Sequence, residues 1–461
     1  MLKPTIFREY DIRGIADEDL VDENVLLLGK GIGTFLIRQG AKNMVIGRDV
    51  RLSSQRIRNA LLEGLLSTGI AVIDVGVTLT PIQYFGIIHF DADGGVMITG
   101  SHNPIDYNGL KISKKGVAPV YGDQIQEIKT IIGNADFASG SGSVTIKNIR
   151  EDYLTMVKSK LSFAKKMKIV IDAGNGTGGL VAPELWEDLG CDVTRLYCEP
   201  DGHFPNHLPD PTVPKYVVDL QKKVLEVGAA LGLGYDGDSD RVGVIDEKGQ
   251  IIFADKLIAI LSREVLQRNP GAEIVFDVKC SQALPEEIEK NGGKPFMYKT
   301  GHSLLKAKMK EVKAPLAGEM SGHIFYADDY FGFDDAIYVS GRLLRILSNS
   351  DKTLSEISAE IPSFESTPEI RVEATDEDKF KIVEELATFF KAQYETIDID
   401  GVRVLFGDGW GLVRASNTQP VLVLRFEAKT RERLQEIINI FTAKLQEYPS
   451  VKFSDDDFAL M

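Results

Sequence analysis

Three aspartates occupy alternate positions in the segment LGLGYDGDSDRVGVID (231–246), at Asp236, Asp238 and Asp240. Alternate side chains of an extended loop point the same way, so these three carboxylates are expected to converge. Without a cation they would repel one another and their pKa values would rise, a cost that a hard divalent ion removes. Magnesium takes a few carboxylate oxygens and usually a substrate phosphate, and Arg241 brings a cation to the same place. The spacing therefore predicts a magnesium site that handles phosphate.

Two other interpretations of this acidic segment are weaker. An EF-hand calcium loop would use Glu247 at its twelfth position, but Arg241 stands at the sixth, where that loop needs glycine. The flanks also have the pattern of strands rather than helices. A solvated acidic turn would suit a single aspartate, whereas three at this spacing behind an apolar strand favour a metal site.

A serine at a tight turn is the second candidate for chemistry. The segment GGVMITGSHNPIDYNGLKIS (94–113) follows an apolar strand, and Gly100 with Asn103 and Pro104 predicts a bend that presents Ser101. Phosphorylation would give Ser101 a charge of about −1.5 to −2 and three acceptor oxygens. One oxygen would complete the metal shell, and Lys111 would contact the phosphate. A plain serine turn is the alternative; no G-x-S-x-G motif supports an acyl-transfer hydrolase.

Composition limits the possible partners of the chain. Its 461 residues carry a net charge of −15, whereas nucleic acids and anionic membranes bind basic surfaces. The three cysteines, Cys191, Cys198 and Cys280, form no metal-binding motif and suggest reduced thiols in a cytosolic protein. The charged start MLKPTIFREYDIRG does not have the pattern of a signal peptide, and no apolar run approaches the ~18 residues of a membrane span. We expect a soluble cytoplasmic protein that binds neither nucleic acid nor membrane.

A pattern of strand, helix and strand recurs three times before residue 300. The copies are MVIGRD (44–49), a helix near 57–66 and AVIDVG (71–76); KIVIDAG (168–174), a helix near 182–189 and VTRLY (193–197); and EIVFDVK (273–279), a helix near 284–290 and KPFMY (294–298). Each copy is the crossover unit of a parallel α/β sheet, so three related mixed α/β domains are predicted.

The last hundred residues have a different pattern, with one strand, a helix near 377–392, several strands and a final helix near 431–446. This order predicts an α+β domain with its helices on one face of an antiparallel sheet. The predicted domains are 1–148, 149–251, 252–364 and 365–461, packed around a central cleft.

A glycine-rich segment supplies the main alternative function. Residues 174–179 fit G-x-G-x-x-G between a strand and a helix, and Glu199 ends the next strand, as in a dinucleotide-binding fold. A plain helix-entry turn explains the same glycines. His203 and His207 are separated by Pro205, which argues against a helical metal-binding pair.

Four motifs together resemble those of the α-D-phosphohexomutase superfamily, above all its bacterial phosphomannomutase/phosphoglucomutase group. They are TGSHNP (99–104), DGDSDR (236–241), GEMSGH (318–323) and RASNT (414–418), supported by FREYDIRG (7–14) and VKCS (278–281). The resemblance spans all four predicted domains in order. Small departures are Ser239, where many members have glycine or alanine, and Ala254, where many have glycine.

The resemblance implies an isomerase that interconverts hexose 1-phosphate and hexose 6-phosphate through a phosphoserine and a hexose 1,6-bisphosphate, which also acts as activator. It implies one Mg²⁺ held by Ser101 and the three aspartates. The implied catalytic residues are Ser101, Arg13, Lys111, Arg241, His302 and His323, with His323, His302 and Lys111 as candidates for the general base. The implied substrate-binding residues are Lys279, Glu319, Ser321, Arg414, Ser416, Asn417 and Thr418.

Several alternatives stay open at this point. The same chemistry on an amino sugar, as in a phosphoglucosamine mutase, fits the motifs, and a dinucleotide-dependent oxidoreductase rests on 174–179. The expected partners are hexose phosphates, and the expected assembly is a monomer or small homo-oligomer.

Overall fold

The computed structural model describes residues 2–416 and 419–458 of the chain. Within those residues the chain forms four β-sheets, each built from one continuous stretch of sequence. The first three sheets combine parallel and antiparallel pairs, and the described strands of the fourth pair antiparallel. The predicted fold class, three mixed α/β units followed by an α+β unit, is confirmed.

The first sheet begins near the N-terminus. Its strands are β1 (Ile12–Ile15), β2 (Asn43–Arg48), β3 (Ala71–Val77), β4 (Gly94–Ile98), β5 (Tyr107–Lys114), β6 (Ala118–Pro119) and β7 (Val144–Ile146), and its helices are α1 (Asp22–Arg38), α2 (Ser54–Leu66), α3 (Thr80–His89) and α4 (Asp123–Gly133). The strand order is β1-β5-β4-β2-β3-β7, with β6 beside β5. Strand β2 is parallel to β3 and β4, whereas β5 is antiparallel to β4. Met44, Val45 and Ile46 on β2 are fully buried, as expected for a parallel strand covered on both faces.

The second sheet follows helix α5 (Arg150–Lys160). Its strands are β8 (Lys168–Asp172), β9 (Asp192–Leu196), β10 (Leu231–Tyr235), β11 (Val242–Asp246) and β12 (Ile251–Ile252), and its helices are α6 (Ala182–Asp188) and α7 (Val218–Val227). The order is β12-β11-β10-β8-β9. Strand β8 is parallel to β9 and β10, and β11 returns antiparallel to β10.

The third sheet has the order β14-β13-β15-β16. Its elements are α8 (Ala254–Arg268), β13 (Glu273–Asp277), α9 (Ala283–Lys290), β14 (Lys294–Tyr298), α10 (His302–Val312), β15 (Leu316–Gly318), β16 (Ile324–Tyr326), α11 (Ala336–Ser348) and α12 (Leu354–Ala359). Helix α8 buries Leu257, Ile258, Leu261 and Val265, the i, i+1, i+4, i+8 stripe of a core-facing helix. Strand β16 is antiparallel to β15, which is parallel to β13.

The fourth sheet has the order β17-β22-β21-β20-β19, with β18 also paired to β22. Its elements are β17 (Glu365–Ser366), β18 (Ile370–Glu373), α13 (Lys379–Lys391), β19 (Glu395–Ile397), β20 (Val402–Leu405), β21 (Gly409–Ala415), β22 (Val421–Ala428) and α14 (Arg431–Leu445). Phe390 of α13 stacks on Phe441 of α14, with ring centroids 4.5 Å apart. The two helices therefore lie side by side, as the predicted α+β arrangement requires.

The units are joined by buried contacts. One continuous hydrophobic core includes residues of the second and third sheets and reaches Val45 and Val75 of the first. Arg403 is fully buried and donates to the carbonyls of Val278 and Cys280, which ties the fourth sheet to the third. The domain limits at 148, 251 and 364 stay predictions. No helix in the described part of the chain is both long and apolar enough to cross a bilayer, and a cytoplasmic location stays a prediction.

Each of the first three sheets delivers one of the loops found in the sequence. The serine loop (99–104) joins β4 to its antiparallel neighbour β5, the aspartate loop (236–241) joins β10 to β11, and the glutamate loop (318–323) joins β15 to β16. Each loop therefore starts at the carboxyl end of a parallel strand and turns back into an antiparallel one. This is the edge of an open α/β sheet where ligands bind.

Candidate active site

Ser101 meets the aspartate loop directly. Its Oγ donates to Asp236 Oδ2 at 2.7 Å, across 135 residues of sequence. Ser101 is 2% exposed and has φ 49°, a left-handed conformation that its tight turn imposes. Its backbone N–H donates to Thr99 Oγ1, and His102 Nδ1 lies 3.0 Å from Ser101 Oγ. The predicted reactive serine and the predicted metal loop are thus in contact.

A buried arginine that sequence reasoning missed holds the serine loop in shape. The guanidinium of Arg51 donates to the backbone carbonyls of Ser101, Asn103, Pro104 and Tyr107. Asp49 accepts from the N–H groups of Arg51 and Gly100. Arg51 follows the carboxyl end of β2, the same sheet edge as the serine loop, so strand topology was the signal that could have identified it.

The three aspartates form a buried acidic cluster in which one oxygen of each could ligate a common ion. Lys111 Nζ donates to Asp238 Oδ2 at 2.7 Å and to Asp240 Oδ2, and Thr80 Oγ1 donates to Asp238 Oδ2 at 2.6 Å. Asp238 Oδ1 and Asp240 Oδ1 are buried without a hydrogen-bond partner among the described residues. Such orphaned carboxylate oxygens fit a hard cation, because burying an unpaired anion is otherwise costly.

Asp236 and Asp238 of this cluster have pKa values shifted in opposite directions. Burial and the charges of Asp238 and Asp240 raise the pKa of Asp236 well above its usual range. Burial also opposes ionisation of Asp238, but the Lys111 ammonium outweighs it and holds the pKa of Asp238 below its usual range. The same two aspartates outweigh burial at Lys111 and raise its pKa. Lys111 is thus a fixed cation at the rim of the cluster.

The glycine-rich segment 174–179 supports the aspartate loop. Thr177 N and Oγ1 both donate to the carbonyl of Gly237, at 3.0 and 3.1 Å. A Cβ on Gly176 would lie 2.9 Å from the Gly237 Cα, so the two backbones touch. Short helical turns over Thr177–Leu180 and Ala182–Asp188 follow the segment. These glycines allow close backbone packing beside the aspartate loop, which gives them a structural role that needs no dinucleotide.

The glutamate loop brings His323 to the aspartates. Arg241 Nε donates to His323 Nε2 at 2.9 Å, and His323 Nδ1 lies 3.7 Å from Asp240 Oδ1. The rings of His323 and His302 stack with centroids 5.0 Å apart. Burial and the neighbouring His323 lower the pKa of His302 well below its usual range, so His302 is a neutral imidazole near pH 7.

Glu319 and Ser321 form one unit of the same loop. Ser321 Oγ donates to Glu319 Oε2 at 2.8 Å, and the N–H of Gly301 donates to Glu319 Oε1 at 2.5 Å. Lys279 Nζ pairs with Glu369 Oε2 at 2.9 Å. Burial opposes the charge of Lys279, but Glu369 and Asp277 outweigh it and raise the pKa of Lys279.

Arg414 is the first residue of the predicted phosphate-binding loop (414–418). Its Nε donates to Asp400 Oδ2 at 2.8 Å, and the same oxygen accepts from the N–H of Thr300. Ser416 Oγ accepts from the N–H of Gln419. The predicted residues Asn417 and Thr418 lie outside the described residues.

Arg13 and Tyr10 complete the set from the N-terminal side. Arg13 donates to Asp11 Oδ2 at 2.6 Å and to the carbonyl of Gly100 at 3.3 Å, so it lies beside the serine loop. Tyr10 Oη donates to the carbonyl of Thr300, and the N–H of Thr300 donates to Asp400 Oδ2. The first, third and fourth units therefore meet at Thr300.

Comparison with known proteins places these loops in one family. Family models for phosphoglucomutase/phosphomannomutase match the chain in sequence: alpha/beta/alpha domain I at 4–139, domain II at 151–249, domain III at 253–364 and the C-terminal domain at 369–444. A phosphomannomutase/phosphoglucomutase of Pseudomonas aeruginosa is 47% identical over 448 residues, covering 96% of both chains. The chain belongs to the phosphoglucomutase/phosphomannomutase family. The resemblance seen in the motifs is confirmed.

Other members of the family match at similar length. A phosphoglucomutase of Neisseria meningitidis is 44% identical and covers 97% of this chain and 98% of its own. A crystal structure of a phosphoglucomutase/phosphomannomutase family protein from Burkholderia thailandensis superposes with a TM-score of 0.91 at 40% identity, covering 97% and 98% of the two chains.

The predicted residues fall into two sets. The first set is connected by the contacts given above and consists of Ser101, Arg13, Lys111, Arg241, His302, His323 and the three aspartates. The second set belongs to the third and fourth units, which meet at Thr300, and consists of Lys279, Glu319, Ser321, Arg414 and Ser416. Asp334 and Lys306, which sequence reasoning also missed, lie behind His323; the acidic pair before a helix was their only signal.

Proposed function

We propose that this protein is a phosphomannomutase/phosphoglucomutase, an isomerase that interconverts hexose 1-phosphate and hexose 6-phosphate. The observation that carries the proposal is the 2.7 Å contact between Ser101 Oγ and Asp236 Oδ2, beside the ammonium of Lys111. A hydroxyl, an acidic ion cage and a fixed cation are the parts that phosphoryl transfer needs. The full-length family relatives support the same activity.

We propose that the cluster of three aspartates, called the cage below, binds Mg²⁺. Asp236, Asp238 and Asp240 would hold it, with an oxygen of Ser101 or its phosphate as a further ligand. When bound, Mg²⁺ would neutralise charge that develops on the phosphoryl oxygens. The buried orphaned oxygens Asp238 Oδ1 and Asp240 Oδ1 support this assignment.

The proposed reaction begins with phosphorylated Ser101. The bond between phosphorus and Ser101 Oγ breaks as a sugar hydroxyl oxygen bonds to phosphorus, and His323 takes the hydroxyl proton. Arg241 and Lys111 stabilise the transferring group by charge. Lys111 already donates to two aspartates, which favours His323 over Lys111 as the base. The hexose 1,6-bisphosphate that results is also the proposed activator.

The bisphosphate must then turn end for end, so that its other phosphate returns to Ser101. One distal grip has to accept a phosphate on either carbon. Arg414 and Ser416, with Asn417 and Thr418, are the proposed grip, since guanidinium and hydroxyl groups bind phosphate whichever carbon bears it. Asp400 pre-orients Arg414, and Lys279 adds a further buried cation.

Sugar recognition is proposed for Glu319 and Ser321. A carboxylate next to a hydroxyl can bind two adjacent sugar hydroxyls without contacting the C2 hydroxyl. Glucose and mannose differ only at C2. The kcat/KM values for glucose 1-phosphate and mannose 1-phosphate should therefore differ by less than about 10⁴-fold. A larger ratio, or a strong preference for glucosamine 1-phosphate, would contradict this recognition.

A coupled assay tests the activity. Purified protein should convert glucose 1-phosphate and mannose 1-phosphate to the 6-phosphates, and added Mg²⁺ should restore the activity that a chelator removes. Ser101→Ala should abolish turnover even with bisphosphate present, whereas the matched control Ser67→Ala, whose Oγ bonds only the carbonyl of Gly64 in the contacts described, should not. Turnover by Ser101→Ala near the wild-type rate would rule out the phosphoserine. Oligomeric state, partners and cytoplasmic location stay predictions.

A further inference from the structure

Helix α3 of the first unit begins against the aspartate loop of the second unit. Its first residue, Thr80, is fully buried and makes two hydrogen bonds to Asp238, 158 residues further along the chain. The Thr80 N–H donates to the Asp238 carbonyl at 2.9 Å, and Thr80 Oγ1 donates to Asp238 Oδ2 at 2.6 Å. One residue of the first unit therefore holds both the backbone and the carboxylate of a proposed metal ligand.

The two oxygens of the Asp238 carboxylate have different surroundings. Oδ2 accepts from Thr80 Oγ1 and from Lys111 Nζ, at 2.6 and 2.7 Å. Oδ1 is buried and has no hydrogen-bond partner among the described residues. Protein donors thus occupy one oxygen of this carboxylate, and the other oxygen is left for a cation.

Lys111 alone does not fix which oxygen of Asp238 is left open. Its Nζ also donates to Asp240 Oδ2, so it is shared between two aspartates of the cage. Its ammonium ends a flexible stem and has three rotatable donors. Thr80 is different, because its backbone N–H is bonded to the same aspartate and its β-branched side chain has few allowed rotamers. The Thr80 hydroxyl therefore has a fixed position relative to the Asp238 carboxylate.

The backbone of the aspartate loop is held independently of this hydroxyl. Thr177 of the second unit donates its N–H to the carbonyl of Gly237. Ala336 of the third unit donates its N–H to the carbonyl of Ser239. Removing the Thr80 hydroxyl should therefore leave the loop in place and release only the carboxylate.

We infer that Thr80 is a positioning residue for the cage, whose hydroxyl holds Asp238 Oδ2 so that Asp238 Oδ1 faces the ion. The inference rests on the proposed function, in which Asp238 is a ligand of Mg²⁺. Without the hydroxyl, the carboxylate can turn and offer either oxygen to Lys111, and ion binding must reverse that turn. Residues that orient a metal ligand in this way typically change the metal affinity by about 10–100-fold.

The test measures metal binding directly, in protein treated with a chelator. Thr80→Val keeps the β-branched shape of the side chain and removes the hydroxyl. The Kd for Mn²⁺, read from the EPR signal of the free ion, and the Kd for Mg²⁺, read from displacement of Mn²⁺, should both rise about tenfold. The site that is measured is the one that Asp236→Ala removes. Thr80→Ser keeps the hydroxyl and should bind both ions within about twofold of wild type.

Thr68→Val is the matched control. Thr68 is also buried in the first unit, and its Oγ1 bonds only the carbonyl of Leu65 in the contacts described. This variant loses a buried hydroxyl at a distance from the cage, so both Kd values should stay within about twofold of wild type even if the melting temperature falls.

Turnover gives a second measurement. The Mg²⁺ concentration for half-maximal activity should rise about tenfold in Thr80→Val. The KM for glucose 1-phosphate should change less than about threefold, because Thr80 contacts the cage and not the phosphate grip.

Three results would overturn the inference: metal Kd values of Thr80→Val within twofold of wild type, equal weakening in Thr80→Ser, or equal weakening in Thr68→Val. If Thr80→Val does not fold, Thr80→Ala, which also lacks the hydroxyl and has a smaller side chain, takes its place in the same comparison. Wild-type protein that binds Mg²⁺ in the cage but isomerises no hexose phosphate would refute the proposed function and leave the inference standing. Wild-type protein that binds neither ion would refute the cage and the inference together.

Discussion

Replacing Gly237 with alanine would test whether the serine and aspartate loops work as one packed unit. Gly237 lies between two of the cage aspartates, and a Cβ at this position would lie 2.4 Å from the carbonyl oxygen of Ser101 and 3.2 Å from its carbon. Gly237 is not among the residues with positive φ, so the backbone can accept an L side chain. The perturbation is therefore steric and acts on the backbone of the proposed phosphoserine.

The size of the displacement follows from that distance. Ordinary van der Waals contact begins near 3.4 Å, so the two loops must separate by about 1 Å to admit the methyl group. Arg51 also donates a hydrogen bond to the Ser101 carbonyl, which limits how far the serine loop can move. A misplacement of about 1 Å at a reacting centre costs on the order of 10²-fold in rate. Overpacking of this kind also costs about 1–3 kcal/mol of stability.

The measurement is kcat and KM for glucose 1-phosphate, together with the melting temperature. Gly237→Ala should lower kcat about 100-fold, with a smaller change in KM, because the distal phosphate grip is unaffected. Gly133→Ala is the matched control, since a Cβ there meets nothing within 4 Å and alanine favours the helix that Gly133 ends. A Gly237→Ala protein with kcat within threefold of wild type would refute the idea that the spacing of the two loops sets the rate.

Three further predictions concern the supports of the site. Arg51→Lys should lower kcat about tenfold and speed proteolysis of the serine loop, because an ammonium cannot bridge the backbone carbonyls that the guanidinium joins; unchanged kcat and proteolysis would contradict this. Asp400→Asn should raise KM about tenfold with little change in kcat, because it loosens Arg414; the reverse pattern would show that Asp400 acts elsewhere. Burial disfavours the charged form of His207, but the hydrogen bond and charge of Asp172 favour that form more strongly. The pKa of His207 in the folded chain is therefore raised. Its charge therefore stabilises the fold fully below about pH 6.5, the unfolded value, and less as pH rises through the raised value. The melting-temperature difference between wild type and His207→Gln should shrink between about pH 6 and pH 9, and a difference that grows would reverse the sign of this linkage.

Part of the site could be predicted from short-range pattern alone. The alternation of Asp236, Asp238 and Asp240 in an extended loop makes their side chains converge, and that convergence is present in the structure. The tight turn around Ser101 likewise follows from glycine, asparagine and proline close in sequence. Strand and helix periods also identified the four units, since each period reports which residues face a core.

The partners behind these residues could not be predicted in the same way. Asp334 and Asp335 are identical neighbours, yet one lies against His323 and the other caps a helix. Gly237 and Ser101 lie close together although their loops belong to different sheets. Arg51 has no motif that sets it apart from other arginines at strand ends.

The sequence by itself determined the units, their order and the loops that carry reactive groups, because those depend on residues a few positions apart. Only the tertiary structure decided which loops meet, which carboxylate lies behind the imidazole and which oxygens stay unpaired. Those facts depend on how four separate sheets pack, and packing joins atoms more than a hundred residues apart. The spacing of residues along the sequence therefore cannot predict which of these distant atoms come into contact.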